Sequence, residues 1–538
     1  MLTAAASTWT VEPFRIATPE EFARVRDLFL RVGFEEAPLF ARFGITSIRE
    51  LLLSNDQGAF RDNIEITDAL SLLVKLFLRG ERVPWSVVRS VLSAPDVSAI
   101  EALGVLHTPA AQSELCSSTI AIYPLGELFV SSDRLDGYDA TAEQPPTDVV
   151  YSPITPQTIA FLRLMPRERC DSLLDLGTGT GVLALVAASE FAQRATATDV
   201  SERSVRFATF NAALNNLTNL QAVQGSVYEP VADAQFDMIV AHPPYVPAFE
   251  TKYVWRDGGE DGEQITRAII GGLVEHLRPG GQFFCSCMLT DRKDAPLEHR
   301  LRAMLGAASD EFDVVVAQEK TVQPLHFFAE QARAGHAPFD GLARWHETIK
   351  RLGIEQMVVV VLLLQRRNSD RPVITTRRAL SPLTSAADLQ WLVRWLLTTN
   401  GWGMEEYRRL LASRPRVLPR TELQSRSRVL EGQWSVEECT LVTLAPFAVQ
   451  ATCPNWYATL LQFCDGRMTA REHLQYLRDT HAVPDAASED AFAMMIRQLV
   501  DAGLVEIDEF RLPDATSMRE TAGAMERTTD SRPVERAD

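Results

Sequence analysis

The amino-acid sequence predicts an α/β protein built on a mostly parallel sheet of seven strands. Strand-length apolar segments alternate with helix-length segments from residue 169 to about residue 367. Alternation of this kind requires a parallel sheet covered by helices on both faces. One segment, residues 357–364 (MVVVVLLL), is apolar at every position, as a strand buried on both faces should be. A turn with three glycines follows the first strand, where open α/β sheets bind ligands.

The seven strands are predicted from these apolar runs. Their expected ranges are 172–176, 195–199, 220–224, 236–241, 281–288, 312–317 and 356–365. Residues 320–350, which include Gln323, His326, Phe327 and Phe328, interrupt the last β-hairpin and are expected to cap the site.

The regions on either side of the sheet divide the chain further. We expect a helical, winged-helix-like N-terminal domain at 1–140, the sheet domain at 145–367, a helical linker region at 368–429, a compact C-terminal unit at 430–511 and a disordered tail at 512–538. Thr18-Pro19-Glu20-Glu21 predicts the start of the first helix, because Thr is a good N-cap and Pro suits the first turn. Residues 121–131 (AIYPLGELFVS) are predicted to form a strand.

Composition and charge restrict the partners and the compartment. The chain has 538 residues and a net charge of −18, and such a surface repels the phosphates of nucleic acids. Its seven cysteines show no paired spacing typical of a zinc site, so we predict no metal and a reducing, cytoplasmic location. The first 13 residues lack the features of a signal peptide, and no apolar run is long enough to cross a bilayer.

The glycine-rich turn carries an informative motif. Asp175, Gly177, Gly179 and Gly181 form the pattern D-x-G-x-G-x-G. This pattern resembles motif I of the class I S-adenosylmethionine-dependent methyltransferases, which have a Rossmann-like sheet of seven strands. The resemblance implies S-adenosylmethionine as the cofactor, bound along these four residues. In many members a segment similar to residues 149–158 (VVYSPITPQT) lies just ahead of motif I and folds over the cofactor.

Two further residues are candidates for cofactor binding. Asp199 ends the second strand, and a carboxylate there can accept hydrogen bonds from both ribose hydroxyls. The alternative is that Asp199 only caps the following helix. Ser226 stands where the resembled family has an acid that binds the adenine amino group, so we expect a weaker contact from its hydroxyl.

The segment His242-Pro243-Pro244-Tyr245 follows the fourth strand. It resembles motif IV, N/D-P-P-Y/F, of methyltransferases that act on planar nitrogens, either the glutamine side chain of release factors or the amino groups of bases. In those enzymes the Asn oxygen and a Pro carbonyl accept the two amide hydrogens, which returns electron density to the nitrogen. The resemblance implies that His242, Pro243 and Tyr245 are catalytic and that His242 also lies against the donor.

The histidine leaves the chemistry open. A neutral imidazole accepts one hydrogen bond and can preserve the amide clamp. It can also act as a general base toward a hydroxyl, an amine or a carbon acid. A third possibility is that methyl transfer is lost.

Two other segments resemble known families. Residues 253–262 (YVWRDGGEDG) resemble the glycine-rich acidic stretch of release-factor glutamine methyltransferases and are expected to shape the substrate mouth. Residues 430–511 contain Asp465-Gly466-Arg467 and the segment 502–507 (AGLVEI). With these motifs they resemble winged-helix PqqD-like modules, which hold a peptide, and equally winged-helix dimerisation domains.

Together these features predict N-methylation of a protein, peptide or amino-acid-derived acceptor. The alternatives are O-, N- or C-methylation of a small biosynthetic intermediate with His242 as base, and a non-catalytic S-adenosylmethionine-binding regulator or scaffold.

Overall fold

The computed structural model describes residues 14–52, 64–108, 114–134, 147–333, 341–430 and 432–511. The predicted tail at 512–538 and most of the predicted boundary around residue 140 lie outside these ranges. Among the described residues, no helix combines the length and the apolar character that crossing a bilayer requires.

A sheet of eight strands forms the centre of the molecule. The strands are β1 (Cys170–Leu176), β2 (Ala192–Asp199), β3 (Leu220–Gln224), β4 (Phe236–Ala241), β5 (Leu277–Arg292), β6 (Phe312–Val322), β7 (Ile354–Arg366) and β8 (Thr375–Ala379). Their order across the sheet is β8-β6-β7-β5-β4-β1-β2-β3, and only β7 runs antiparallel to its neighbours. The seven predicted strands are confirmed. Strand β8 was not predicted from the sequence, because four of its five residues are polar and none is buried.

Helices cover both faces of this sheet. They are α1 (Val182–Glu190), α2 (Glu202–Leu214), α3 (Gln264–His276), α4 (Leu297–Leu305), α5 (Pro324–Arg333) and α6 (Gly341–Leu352). Successive side chains of a strand point to opposite faces. Accordingly, Leu173 packs in the same cluster as Val182 of α1, and Leu174 packs with Ile269 of α3. Helices α5 and α6 lie between β6 and β7, which confirms that residues 320–350 interrupt the last hairpin.

The N-terminal part is mainly helical. Its helices are Pro19–Val32, Glu36–Phe43, Arg49–Leu52, Ala69–Leu73, a π-helix Val74–Leu78, Trp85–Val91 and Ala94–Ala102. Its strands are Val83–Pro84, Leu106–His107, Leu115–Ser118, Ile120–Leu125 and Leu128–Asp133. The last two strands pair as a hairpin, so the single strand predicted over 121–131 was wrong: Gly126, at φ +57°, turns the chain.

Aromatic side chains join this N-terminal part to α2. The ring of Phe14 lies 4.8 Å from that of Phe207 and 4.5 Å from that of Phe210. The predicted start of the first helix is confirmed, because Thr18 accepts a hydrogen bond from the backbone N–H of Glu21. The N-terminal part is therefore packed directly against a helix of the sheet domain.

The C-terminal part follows β8. Its helices are Ala386–Thr399, Met404–Arg409, Trp456–Phe463, Ala470–Asp479 and Glu489–Asp501, and its strands are Arg416–Val417, Glu422–Leu430, Gln433–Thr443, Val449–Cys453 and Val505–Glu506. Helices Ala386–Thr399 and Met404–Arg409 lie in the region 368–429 that was predicted to be helical. Strand Glu422–Leu430, which begins in the same region, was not predicted, because all nine of its residues are exposed and give no apolar pattern.

Candidate functional site

The carboxyl ends of β1, β2 and β4 open onto one cavity of about 440 Å³. Most of the predicted site residues meet in its wall. Those that line it are Gly177, Gly179, Asp199, Ser226, His242, Pro243 and Tyr245. Asp175 and Gly181, which were also predicted to bind the cofactor, lie behind the wall.

The glycine-rich loop forms the floor of this cavity. Gly177 and Gly179 have φ values of +69° and +55°, which disfavour any other residue. A Cβ added at either position would meet no atom within 4 Å, because both face open space. Gly181 serves another purpose, since a Cβ there would stand 3.0 Å from the Cβ of Ala208 on α2. The loop thus offers bare backbone to a ligand on one side and packs against α2 on the other.

Asp175 supports the loop from beneath. It is fully buried, and its Oδ2 accepts hydrogen bonds from Thr178 Oγ1 at 2.5 Å and from the Ala184 N–H at 3.3 Å. Burial raises the pKa of this carboxyl to about 7. Its Oδ1 has no hydrogen-bond partner among the described residues. Direct contact between Asp175 and a cofactor stays a prediction.

Asp199 lies between the loop and α2. Its Oδ2 accepts a hydrogen bond from the Gly179 N–H at 3.0 Å, and its Oδ1 accepts one from the Ser201 N–H at 2.9 Å. Burial raises the pKa of this carboxyl, although both backbone donors act in the opposite direction. Asp199 therefore contacts the start of α2, as the capping alternative requires, and also lines the cavity.

Val227 adds a strained position beside Ser226. Its φ is +50°, a left-handed conformation that costs a β-branched residue about 1–2 kcal/mol. Both residues line the cavity. Strain of this kind persists only where the surroundings hold the backbone in place, and it is frequent at ligand sites. The sequence carries no signal for it.

His242 presents a neutral imidazole to the cavity. Its ring lies 6.0 Å from that of Phe161 and 5.9 Å from that of Tyr245, which is nearly parallel to it at 20°. Burial lowers the pKa of His242 to about 4, so the ring is uncharged at neutral pH. No described residue forms a hydrogen bond with either ring nitrogen. The unprotonated ring nitrogen can therefore accept a hydrogen bond from a ligand.

The glycine-rich acidic stretch holds the loop that contains His242. The Val246 N–H donates to the Arg256 carbonyl at 2.9 Å, and the Gly258 N–H donates to the Val246 carbonyl at 2.8 Å. A Cβ at Gly258 would stand 2.7 Å from the carbonyl oxygen of Pro244. A Cβ at Gly262 would overlap the carbonyl oxygen of Tyr245. These glycines are therefore required because two stretches of backbone lie in direct contact.

Asp257 holds the shape of this stretch. Asp257 is buried and accepts hydrogen bonds from the N–H groups of Lys252 and Tyr253 and from the Arg256 guanidinium at 2.9 Å. Trp255 and Arg256 then form part of the cavity wall. The ring of Trp255 stacks on Tyr151 at 4.8 Å, and Tyr151 belongs to the segment ahead of the glycine loop. This aromatic pair was not predicted from the sequence.

The insertion between β6 and β7 reaches the same cavity. Gln331 of α5 lines it and accepts a hydrogen bond from Arg256 at 2.8 Å. Phe328 stacks on Trp345 of α6 at 3.9 Å, and Trp345 stacks on Phe249 at 4.2 Å. The insertion was expected to cap the site. Gln331, which was not among the residues named for this role, supplies the contact, whereas Gln323, His326, Phe327 and Phe328 do not line the cavity.

Comparisons with known proteins point to one family. Residues 153–314 match the model described as methyltransferase small domain. A release factor glutamine methyltransferase from Koribacter versatilis (strain Ellin345) is 37% identical over 136 residues, which are 23% of this chain and 49% of that protein. A protein from Methanocaldococcus jannaschii with the provisional name protein N5-glutamine methyltransferase is 30% identical over 138 residues, 24% of this chain and 68% of that protein.

A ribosomal protein uL3 glutamine methyltransferase from Bradyrhizobium diazoefficiens is 33% identical over 128 residues, 21% of this chain and 40% of that protein. The chain thus spans about half the length of the curated relatives it matches.

Proposed function

Because the chain belongs to the class I S-adenosylmethionine-dependent methyltransferases, in the group of the protein glutamine methyltransferases, we propose that it methylates a side-chain amide nitrogen of a protein or peptide. The named substrates of the relatives, a release factor and ribosomal protein uL3, are both proteins. The acceptor is therefore a polypeptide that presents an amide to the cavity.

The residues of the cavity fit the methyl donor. Gly177 and Gly179 leave open space where a side chain would otherwise stand, and the Asp199 carboxylate borders that space. Asp199 would accept hydrogen bonds from ribose hydroxyls, and Ser226 would contact the base. Bound there, S-adenosylmethionine supplies an electrophilic methyl group on a sulfonium. The work left to the chain is to orient the acceptor nitrogen and to exclude water.

The neutral His242 carries this proposal. An amide nitrogen is a poor nucleophile because its lone pair is delocalised, and acceptors for its hydrogens restore electron density to it. The imidazole can accept one of these hydrogens, and the backbone carbonyl of Pro243 can accept the other. Tyr245, nearly parallel to the imidazole, would stack on the planar amide.

The same histidine is poorly suited to general-base catalysis. A base whose pKa is about 4 holds a proton weakly, whereas an efficient base has a pKa near the working pH. Methylation of a small hydroxyl, amine or carbon acid with His242 as base is therefore the less favoured candidate.

The experiment measures transfer of a labelled methyl group from S-adenosylmethionine to the glutamine of a short alanine-rich peptide. The variants are His242→Asn and His242→Ala, with His346→Asn on the exposed face of α6 as the control. We expect H242N to keep or raise the wild-type rate, since an amide oxygen replaces the imidazole acceptor, and H242A to lose about 100-fold.

Loss of activity in both His242 variants, together with a wild-type rate that depends on a pKa near neutrality, would favour general-base catalysis by His242. Failure of the wild type to bind S-adenosylmethionine in a calorimeter would refute both enzyme functions.

A further inference from the structure

Two asparagines, Asn211 of α2 and Asn215 directly after its last residue, hold one strand of the N-terminal hairpin. Asn211 Oδ1 accepts from the Ser131 N–H at 2.8 Å, and its Nδ2 donates to the Ser131 carbonyl at 3.0 Å. Four residues further along the chain, Asn215 Oδ1 accepts from the Phe129 N–H at 2.8 Å, and its Nδ2 donates to the Phe129 carbonyl at 2.7 Å. Both side chains are buried. Each amide thus pairs with strand Leu128–Asp133 as a neighbouring strand would.

The two asparagines differ in two contacts. Asn211 Oδ1 also accepts a hydrogen bond from Ser131 Oγ at 2.6 Å, a contact that Asn215 lacks because residue 129 is Phe. The second Nδ2 hydrogen of Asn211 goes to the carbonyl of Thr180 in the glycine-rich loop, at 2.8 Å. The corresponding hydrogen of Asn215 goes to the carbonyl of Asn211 in α2, at 2.8 Å. Asn211 alone of the pair therefore connects the hairpin to the loop that forms the floor of the cavity.

The end of the same strand reaches another part of the cavity wall. Asp133 Oδ2 accepts from the Val150 N–H at 2.8 Å and from Arg203 Nε at 2.8 Å, and the Asp133 N–H donates to the Val150 carbonyl at 3.1 Å. Val150 and Thr180 both line the cavity. The strand is thus tied to two parts of the wall whose positions in the sequence are far apart.

From this arrangement we propose that Asn211 is a positioning residue for the methyl donor. It fixes the glycine-rich loop to the N-terminal hairpin, so that the N-terminal part is a component of the donor site. The inference rests on the proposed function only in taking S-adenosylmethionine as the ligand of this cavity. It needs no knowledge of the acceptor.

The test compares Asn211→Asp with Asn215→Asp in the full chain. Both variants lose two donors, one of them to the hairpin, and place a carboxylate among carbonyl oxygens. The second donor that is lost goes to the Thr180 carbonyl in N211D and to the Asn211 carbonyl in N215D. Calorimetry with S-adenosylhomocysteine, the stable product, gives Kd without turnover. We expect Kd to rise about tenfold in N211D and less than about twofold in N215D, with similar losses in thermal stability. Amide hydrogen exchange over residues 179–182 should accelerate only in N211D.

An equal rise of Kd in both variants, or an unchanged Kd in N211D, would overturn the proposal. If N211D does not fold, Asn211→Ser against Asn215→Ser decides by the same comparison, since serine removes the amide without adding a charge. Failure of the wild type to bind S-adenosylhomocysteine would refute the donor site itself, which is a separate result.

Discussion

Substitution of Gly181 by alanine tests how the glycine-rich loop is built. Gly181 has φ +84°, and a left-handed alanine costs about 1–2 kcal/mol. Its Cβ would also stand 3.0 Å from the Cβ and 3.1 Å from the Cα of Ala208. Because part of this contact is with helix backbone, it is relieved only by shifting α2, and overpacking of this kind costs about 1–3 kcal/mol. We therefore expect G181A to lower the free energy of unfolding by about 2–5 kcal/mol in all.

Gly177→Ala is the matched control. Its φ of +69° brings the same backbone cost, but its Cβ meets no atom within 4 Å, so we expect a loss of only about 1–2 kcal/mol. Urea unfolding monitored by circular dichroism, together with hydrogen exchange in α2, measures the decrease in the free energy of unfolding of each variant. In the double variant G181A/A208G the Cβ–Cβ contact is removed, while the contact with the Cα of residue 208 remains. The double-mutant cycle should therefore recover part of the packing cost, as a favourable coupling of about 1 kcal/mol. Equal losses in G181A and G177A, or no coupling to Ala208, would refute the packing argument.

Two further predictions concern the other wall of the cavity. Because the pKa of His242 is about 4 when folded and about 6.5 when unfolded, its contribution to stability is complete above about pH 6.5 and is lost as the pH falls toward 4. The urea midpoint of the wild type should thus fall more than that of H242N between about pH 7 and pH 5, and parallel curves would contradict this. Gly262→Ala, whose Cβ would overlap the Tyr245 carbonyl oxygen, should reduce turnover at least about tenfold while the Kd for S-adenosylhomocysteine stays within about twofold. Gly126→Ala, at φ +57° with no atom within 4 Å of its Cβ, is the control. If G262A lost as much affinity for S-adenosylhomocysteine as turnover, the glycine-rich loop and the loop that contains His242 would not be independent.

The sheet domain and the kind of site that it carries could be predicted from the residues alone. Strand β4 begins and ends where the apolar pattern predicted, because a strand buried in a parallel sheet is recognisable from its own residues. Strand β3 also has its predicted ends, although none of its residues is buried. The glycine turn and the H-P-P-Y segment were also found, since each follows a strand and strand ends meet at one edge of the sheet. Local pattern was enough for these features because neighbouring residues decide them.

Tertiary structure alone decided the features that depend on distant residues. Strand β8 is polar and forms because the free edge of β6 offers it hydrogen bonds. The pKa of His242 falls because other elements bury it, and the left-handed Val227 is held by its surroundings. Asn211 and Ser131 are 80 residues apart, and nothing local to either predicts that they meet. Burial and long-range hydrogen bonds are properties of the packed chain. The residues of the site could therefore be located from the sequence, but their pKa values and the hydrogen bonds that hold them in place could not.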